Sequence, residues 1–226
     1  QFGLQKPEMF KNLRYLLTGG AVISKQSTQN IISSCNKLKL INCYGPTENG
    51  SYSTCYEITG NELNIPIGKP ITNSSAYIVS NSGLLCPIGV PGELWVGGYG
   101  VSKGYLNNDD LTNEKFISNP FGEGIIYKTG DLVKWLPNGN IEFIGRIDNQ
   151  VKVRGFRIEL SEIDKQILDK FSEIKNSLSI IHNINNSKII CSYIVSDTKV
   201  NINKLKTNLE KVLPSYMLPT FIIQLD

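Results

Sequence analysis

The chain has 226 residues, 40% of them hydrophobic and 19% charged, with a net charge of +3. That length and apolar content support a packed core for one large domain or one and a half ordinary ones, and exclude global disorder. Residues 1–148 carry 12 basic and 12 acidic side chains and residues 149–226 carry 11 and 8, an excess too small and diffuse for a nucleic-acid footprint.

No run of about 18 apolar residues marks a membrane span, and no basic, apolar leader is visible. The first residues, QFGLQKPEMF, lack an initiator Met and the last, TFIIQLD, end in an apolar stretch. Both ends read as cut from a longer protein. The cysteines are Cys35, Cys43, Cys55, Cys86 and Cys191, an odd count without C-x-x-C spacing. They read as reduced thiols of a cytoplasmic protein, not as a disulfide framework or zinc site. His182, the one histidine, closes an apolar run before a polar turn and reads as structural, since a metal site or catalytic triad needs more partners.

In chain order, LRYLLTGG (13–20) predicts a buried strand ending in a glycine turn. Ser24 is placed to cap a helix running to about Cys35, and LKLINCY (38–44) predicts a second strand. Strand, helix, strand is the unit of a parallel sheet, in which ligands bind beyond the carboxyl ends of the strands. The middle is β-rich: SAYIVS (75–80), GELWVGG (92–98), GIIYKTGDLVKWL (124–136) and NIEFIGRI (140–147) predict strands, with LPNGN (136–140) as a hairpin turn. NDDLTNEKF (108–116) predicts one short capped helix. From about residue 149, QVKVRGFRI predicts a basic strand pair, and ELSEIDKQILDKF (159–171) shows helical spacing of apolar residues. Two strands, a helix near 201–212 and a proline-bracketed LPSYMLP (213–219) follow. A boundary is expected at GRIDNQ, with a small α+β lobe after it.

Three stretches carry candidate chemistry. In NCYGPTENG (42–50) a Gly-Pro corner lets the backbone approach a ligand closely. Thr47 and Glu48 behind it offer a phosphate ligand and a magnesium ligand, and Tyr44 offers a flat face for a base. An ordinary turn with a Thr-Glu cap fits the same residues. In YKTGDL (127–132), Asp131 is able to accept both hydroxyls of a ribose, although Gly-Asp turns are common. GRIDNQVKVRG (145–155) sets Arg146, Lys152 and Arg154 beside Asp148, suited to phosphate or ribose oxygens or else to a solvated basic hairpin. The glycines of GELWVGGYGVSKGYLN (92–107) are spaced through strands and read as scaffold, not as a phosphate loop.

NCYGPTE, GELWVGGYGVSKGYLN, YKTGDL, GRIDNQVKVRGFRIELSEI and LPSYMLP, in this order and spacing, resemble the adenylation domains of nonribosomal peptide synthetases. The wider group is the adenylate-forming, AMP-binding superfamily of acyl-CoA synthetases and luciferases. The resemblance covers residues 13–226. It implies an α/β fold: the end of the large core lobe over 1–147, a parallel sheet plus an appended β-rich part, then a small mobile α+β lobe over 148–226.

The resemblance also implies roles. Tyr44 lies against adenine, with Phe143 on the other face. Thr47 binds phosphate and Glu48 binds magnesium. Asp131 binds the ribose with help from Arg146, and Asp148 is the hinge of the small lobe. Lys152 faces the site in a second, thioester-forming conformation. Gly19, Cys43, Ser51 and Tyr52 line the amino-acid pocket, Gly19 by leaving room. The implied cofactors are ATP and magnesium, with phosphopantetheine on a partner carrier domain, and no nucleic acid or membrane partner. The family's Ser/Thr/Gly-rich phosphate loop and its catalytic lysine are expected outside residues 1–226, which makes little adenylation the expectation for the chain alone. A carrier-protein D-alanine ligase, an aryl/acyl-CoA ligase or a non-catalytic nucleotide-binding module are the alternative readings.

Overall fold

The computed structural model describes residues 2–148, 150–153, 156–184 and 187–225, the side chains of Lys152 and Ser187 excepted. The chain separates into two compact units, residues 1–148 and 149–226.

Unit one begins with a short helix, α1 (Phe2–Gln5), and a 3-10 turn over Pro7–Phe10, which lead into β1 (Tyr15–Gly19). The Ser24 hydroxyl accepts from the Ser27 N–H and caps α2 (Lys25–Ser34), whose Ile31 turns inward against Leu40 and Ile58. β2 (Lys39–Tyr44) pairs in parallel with β1, from Tyr15 opposite Lys39 to Gly19 opposite Cys43. The strand–helix–strand unit is therefore present. The sheet continues with antiparallel strands, β3 (Thr54–Glu57) and β4 (Lys69–Pro70), in the order β1-β2-β3-β4.

A second sheet holds β5 (Ser74–Val79), β6 (Gly92–Gly98), β7 (Phe116–Ser118), β8 (Ile125–Trp135) and β9 (Ile141–Arg146). Its order is β5-β6-β8-β7, with β9 also on β8. All its pairings are antiparallel. The helix between β6 and β7, α3 (Asp109–Lys115), is capped by Asn108. The inward faces meet in a core of Ile78, Leu94, Val96, Tyr127, Val133 and Ile141, each at most 1% exposed.

One irregularity matters for the site. The β8–β9 register runs Asp131 opposite Arg146, Leu132 opposite Gly145, then Val133 opposite Phe143. The extra residue on β9 is a bulge. Arg146 and Phe143, three positions apart, would otherwise project from opposite faces. With the bulge both sit opposite β8 residues two apart, so both share the Asp131 face.

Unit two opens with the antiparallel pair β10 (Gln150–Val153) and β11 (Phe156–Glu159). α4 (Leu160–Lys170) follows, then β12 (Ile174–Ile184), β13 (Ser187–Ser196), α5 (Ile202–Leu209), a 3-10 turn at Ser215–Met217 and β14 (Phe221–Leu225). β12 and β13 are antiparallel, while β14 joins β13 in parallel. The helical spacing of α4 is realised: Leu160, Ile163 and Ile167 are buried against Ile194, Leu205 and Leu209. His182 shares a hydrogen bond of 3.0 Å with the Tyr193 hydroxyl across β12 and β13.

Candidate functional site

The Gly-Pro corner leaves the carboxyl end of β2. A Cβ on Gly45 would sit 2.7 Å from Tyr52 Cα and 2.8 Å from Ser51 O, so only glycine lets the loop fold back on itself. The returning segment bonds through the Ser53 N–H to the Tyr44 carbonyl at 2.7 Å. Thr47 is exposed at the turn and Glu48 is buried beside it.

Tyr44 and Asp131 are brought together across the two sheets of unit one: the Tyr44 hydroxyl donates a short hydrogen bond to Asp131 Oδ2. Burial, then the Asp131 charge, push the Tyr44 hydroxyl well above the ordinary phenol range. Asp131 Oδ1 accepts from Arg146 Nη1 at 2.9 Å, and the same nitrogen donates to the Thr129 carbonyl at 2.9 Å. The Asp131 N–H donates to Thr129 Oγ1 at 3.0 Å, and that hydroxyl donates to the Leu94 carbonyl at 2.6 Å. Arg146 turns its other edge to Asp148, Nε donating to Oδ1 at 2.7 Å. Burial works against the Arg146 charge, but Asp148 and Asp131 outweigh it and raise the guanidinium pKa. The result is one chain of groups, Tyr44–Asp131–Arg146–Asp148, with Asp131 fixed from both sides.

Glu48 has its own support. Its Oε1 accepts from the hydroxyls of Tyr105 at 2.7 Å and Tyr127 at 2.8 Å. Burial, with the Tyr127 and Glu48 hydrogen bonds, drives the Tyr105 hydroxyl far up. β8 thus serves both clusters, Tyr127 reaching Glu48 and Asp131 reaching Tyr44. Phe143 is half-buried and packs on the same core as Tyr44. Tyr105, Tyr127 and Thr129 are members that sequence reasoning passed over. Tyr127 and Thr129 stand in YKTGDL and Tyr105 in SKGYLN, but nothing local marks a phenol as a carboxylate's partner.

Magnesium fits the donor set. Magnesium is held by one or two carboxylates together with phosphate oxygens and waters, not by all-protein cages. Glu48, buried at the loop, supplies a hard oxygen donor of this kind.

The pocket residues divide. Gly19 and Cys43 are register partners across β1 and β2. A Cβ on Gly19 would lie 2.1 Å from the Cys43 carbonyl oxygen. The missing side chain therefore answers a close backbone approach between β1 and β2. Cys43 is buried, and burial first, then Cys55, raise its thiol pKa. Ser51 and Tyr52 are exposed on the returning limb of the loop. Lys152 lies in β10 opposite Arg157 in register. The Lys152 side chain, and Arg154, lie outside the described residues.

Residues 2–106 match the family described as AMP-binding enzyme. Tyrocidine synthase 3 of Brevibacillus parabrevis is 46% identical over 229 residues, covering 100% of this chain and 4% of that protein. Gramicidin S synthase 2 of Brevibacillus brevis is 46% identical over 222 residues, covering 97% of this chain and 5% of that protein. Among solved structures, PA1221, an NRPS protein containing adenylation and PCP domains, superposes with a TM-score of 0.81 at 27% identity, over 98% of this chain and 45% of that one. The chain belongs to the AMP-binding enzyme family, and within it to the adenylation domains of nonribosomal peptide synthetases. It spans a twentieth or less of the length of these two synthases.

Proposed function

We propose that the protein containing this chain activates an amino acid with ATP, as an aminoacyl-adenylate with release of pyrophosphate, and passes it to a phosphopantetheine thiol on a carrier domain. The observation that carries the reading is the Tyr44–Asp131–Arg146 chain, joined across β2, β8 and β9, with a buried Glu48 four residues after Tyr44. A carboxylate clamped between a phenol and a guanidinium is oriented before a ligand arrives, and its acceptor oxygens suit vicinal hydroxyls of a ribose. Tyr44 contributes its ring to the base, with Phe143 on the shared face of the β8–β9 bulge. Thr47, exposed at the corner, is the proposed ligand of a phosphate oxygen.

In the reaction an oxygen of the amino-acid carboxylate attacks the α-phosphorus, and the bond to the bridging oxygen breaks as pyrophosphate leaves. Magnesium, held by Glu48, would offset phosphate charge when bound. Asp131 and Arg146 hold the ribose and so fix the α-phosphate in line. Tyr105 and Tyr127 hold the Glu48 carboxylate in one orientation. Cys43, Ser51 and Tyr52 belong to the amino-acid side of the loop. Asp148, the last residue of unit one, is the proposed hinge for the second step, with Lys152 on the face that then meets the thiol.

The test is amino-acid-dependent ATP–pyrophosphate exchange by the complete domain, run against an amino-acid panel, followed by loading of its carrier domain. One amino acid or a small related set should support both steps. Exchange with none, or activation that loads only free coenzyme A, would refute the assignment.

A further inference from the structure

We propose that Cys43 and Cys55 form an oxidisable cross-strand dithiol that closes into an intrachain disulfide and locks the ends of the 44–54 loop. The two stand directly opposite each other in the antiparallel β2–β3 pair. Residues opposite each other project from the same face of a sheet. Their backbone groups point apart. The Cys43 carbonyl faces β1, where a Gly19 Cβ would lie 2.1 Å from it, and the Cys55 carbonyl faces β4, where a Gly68 Cβ would lie 1.8 Å from it. The bonds flanking the pair agree: Ile58 N–H donates to the Leu40 carbonyl at 2.8 Å, and Ile71 N–H to the Ser53 carbonyl at 3.0 Å. Counting from these by alternation makes Cys43–Cys55 a non-hydrogen-bonded pair, the kind with the closer side chains and Cα atoms about 4.5 Å apart. That spacing lies inside the range of roughly 4.4–6.8 Å that a disulfide spans.

The two thiols have different access. Cys55 is exposed and Cys43 is buried, and all five cysteines are free. This sets the order of events with a small-molecule disulfide, such as oxidised glutathione, as oxidant. The Cys55 thiolate attacks one sulfur of the small disulfide, whose S–S bond breaks and whose other half leaves as a thiol with the proton from Cys55. The Cys43 thiolate then attacks the Cys55 sulfur and expels the second half as a thiol, taking up the proton from Cys43. Two protein thiols are oxidised and one small disulfide is reduced to two thiols. The ring so formed contains Tyr44, Thr47 and Glu48. Any effect on amino-acid binding rests on the reading of Cys43 as a pocket residue, whereas the bridge itself does not.

The experiment exposes the folded chain to oxidised glutathione, alkylates the remaining thiols and maps peptides by mass spectrometry under non-reducing conditions. Wild type should lose two alkylatable thiols and yield one Cys43–Cys55 linked peptide, in about tenfold or greater excess over any other pairing because the two thiols are held together. Cys43→Ser should stop at a glutathione adduct on Cys55, and Cys55→Ser should give neither link nor adduct at Cys43. Far-UV circular dichroism matching wild type qualifies each variant. The wild-type map alone decides if either variant misfolds. A persistent Cys55–glutathione adduct with Cys43 still alkylatable in wild type, or random pairing among the five cysteines, would overturn the proposal. Exchange activity is not used as a readout, so failure here leaves the proposed function standing.

Discussion

Replacing Arg146 with Met should loosen unit one by an amount that the geometry allows to be worked out. The guanidinium makes two kinds of contact. Its pair with Asp148 involves a carboxylate 41% exposed, and exposed pairs are worth about 0–1 kcal/mol. Its pair with Asp131 involves a carboxylate only 10% exposed. A hydrogen bond to a charged group contributes about 1.5–3 kcal/mol, and the Thr129 carbonyl loses its donor as well. The sum is about 2–4 kcal/mol, below the cost of stranding a fully buried charge because the Tyr44 hydroxyl still holds Asp131. For a unit of this size that corresponds to a fall in Tm of roughly 4–16 °C. Urea unfolding of the chain, followed by a double-mutant cycle with Asp131→Asn, measures it. Coupling of about 1 kcal/mol or more is expected, and additivity within about 0.3–0.5 kcal/mol would refute the clamp.

Gly19→Ala should part β1 from β2 and cost about 1–3 kcal/mol in urea unfolding; wild-type stability would show that the close approach to the Cys43 carbonyl is not real. The Glu62 carboxylate is resisted by burial, but accepting from the Thr59 N–H and hydroxyl, and from the Tyr56 hydroxyl, lowers its pKa from 4.5 to about 2. Its contribution is therefore present above pH 4.5 and lost as pH falls to about 2, so the stability gap between wild type and Glu62→Gln should close over that window, and a constant gap would contradict the assignment. Asp148→Pro in the complete domain should slow carrier loading more than pyrophosphate exchange. Because Asp148 also orients Arg146, Asp148→Asn is the control: it should move only the ATP requirement, and equal loss of both steps in the proline variant would argue against a hinge.

The elements that the sequence made legible are those with a local signal. Ser24 before a polar helix with Ile31 on its inner face, the apolar runs of β1 and β2, and the α4 spacing each depend on neighbours in the chain. β3 and β14 were missed for a physical reason. TCYE lacks apolar alternation and becomes a strand because β2 and β4 flank it, and FIIQL becomes one by docking on β13. The site shows the same division. Tyr44, Glu48, Asp131 and Arg146 stood out as residue types in motifs. Their joining depends on contacts far apart in sequence, and Phe143 and Arg146 share a face only through the β9 bulge. The Cys43–Cys55 juxtaposition is a matter of register, which cysteine spacing alone does not report.

Asp131 is proposed as a ribose ligand held ready by Tyr44 and Arg146. The direct measurement is the ATP dependence of amino-acid-driven pyrophosphate exchange by the complete domain, for wild type and Asp131→Ala. The expected result is a raised apparent KM for ATP with little change in the amino-acid requirement. An unchanged ATP dependence in a folded Asp131→Ala domain would contradict it.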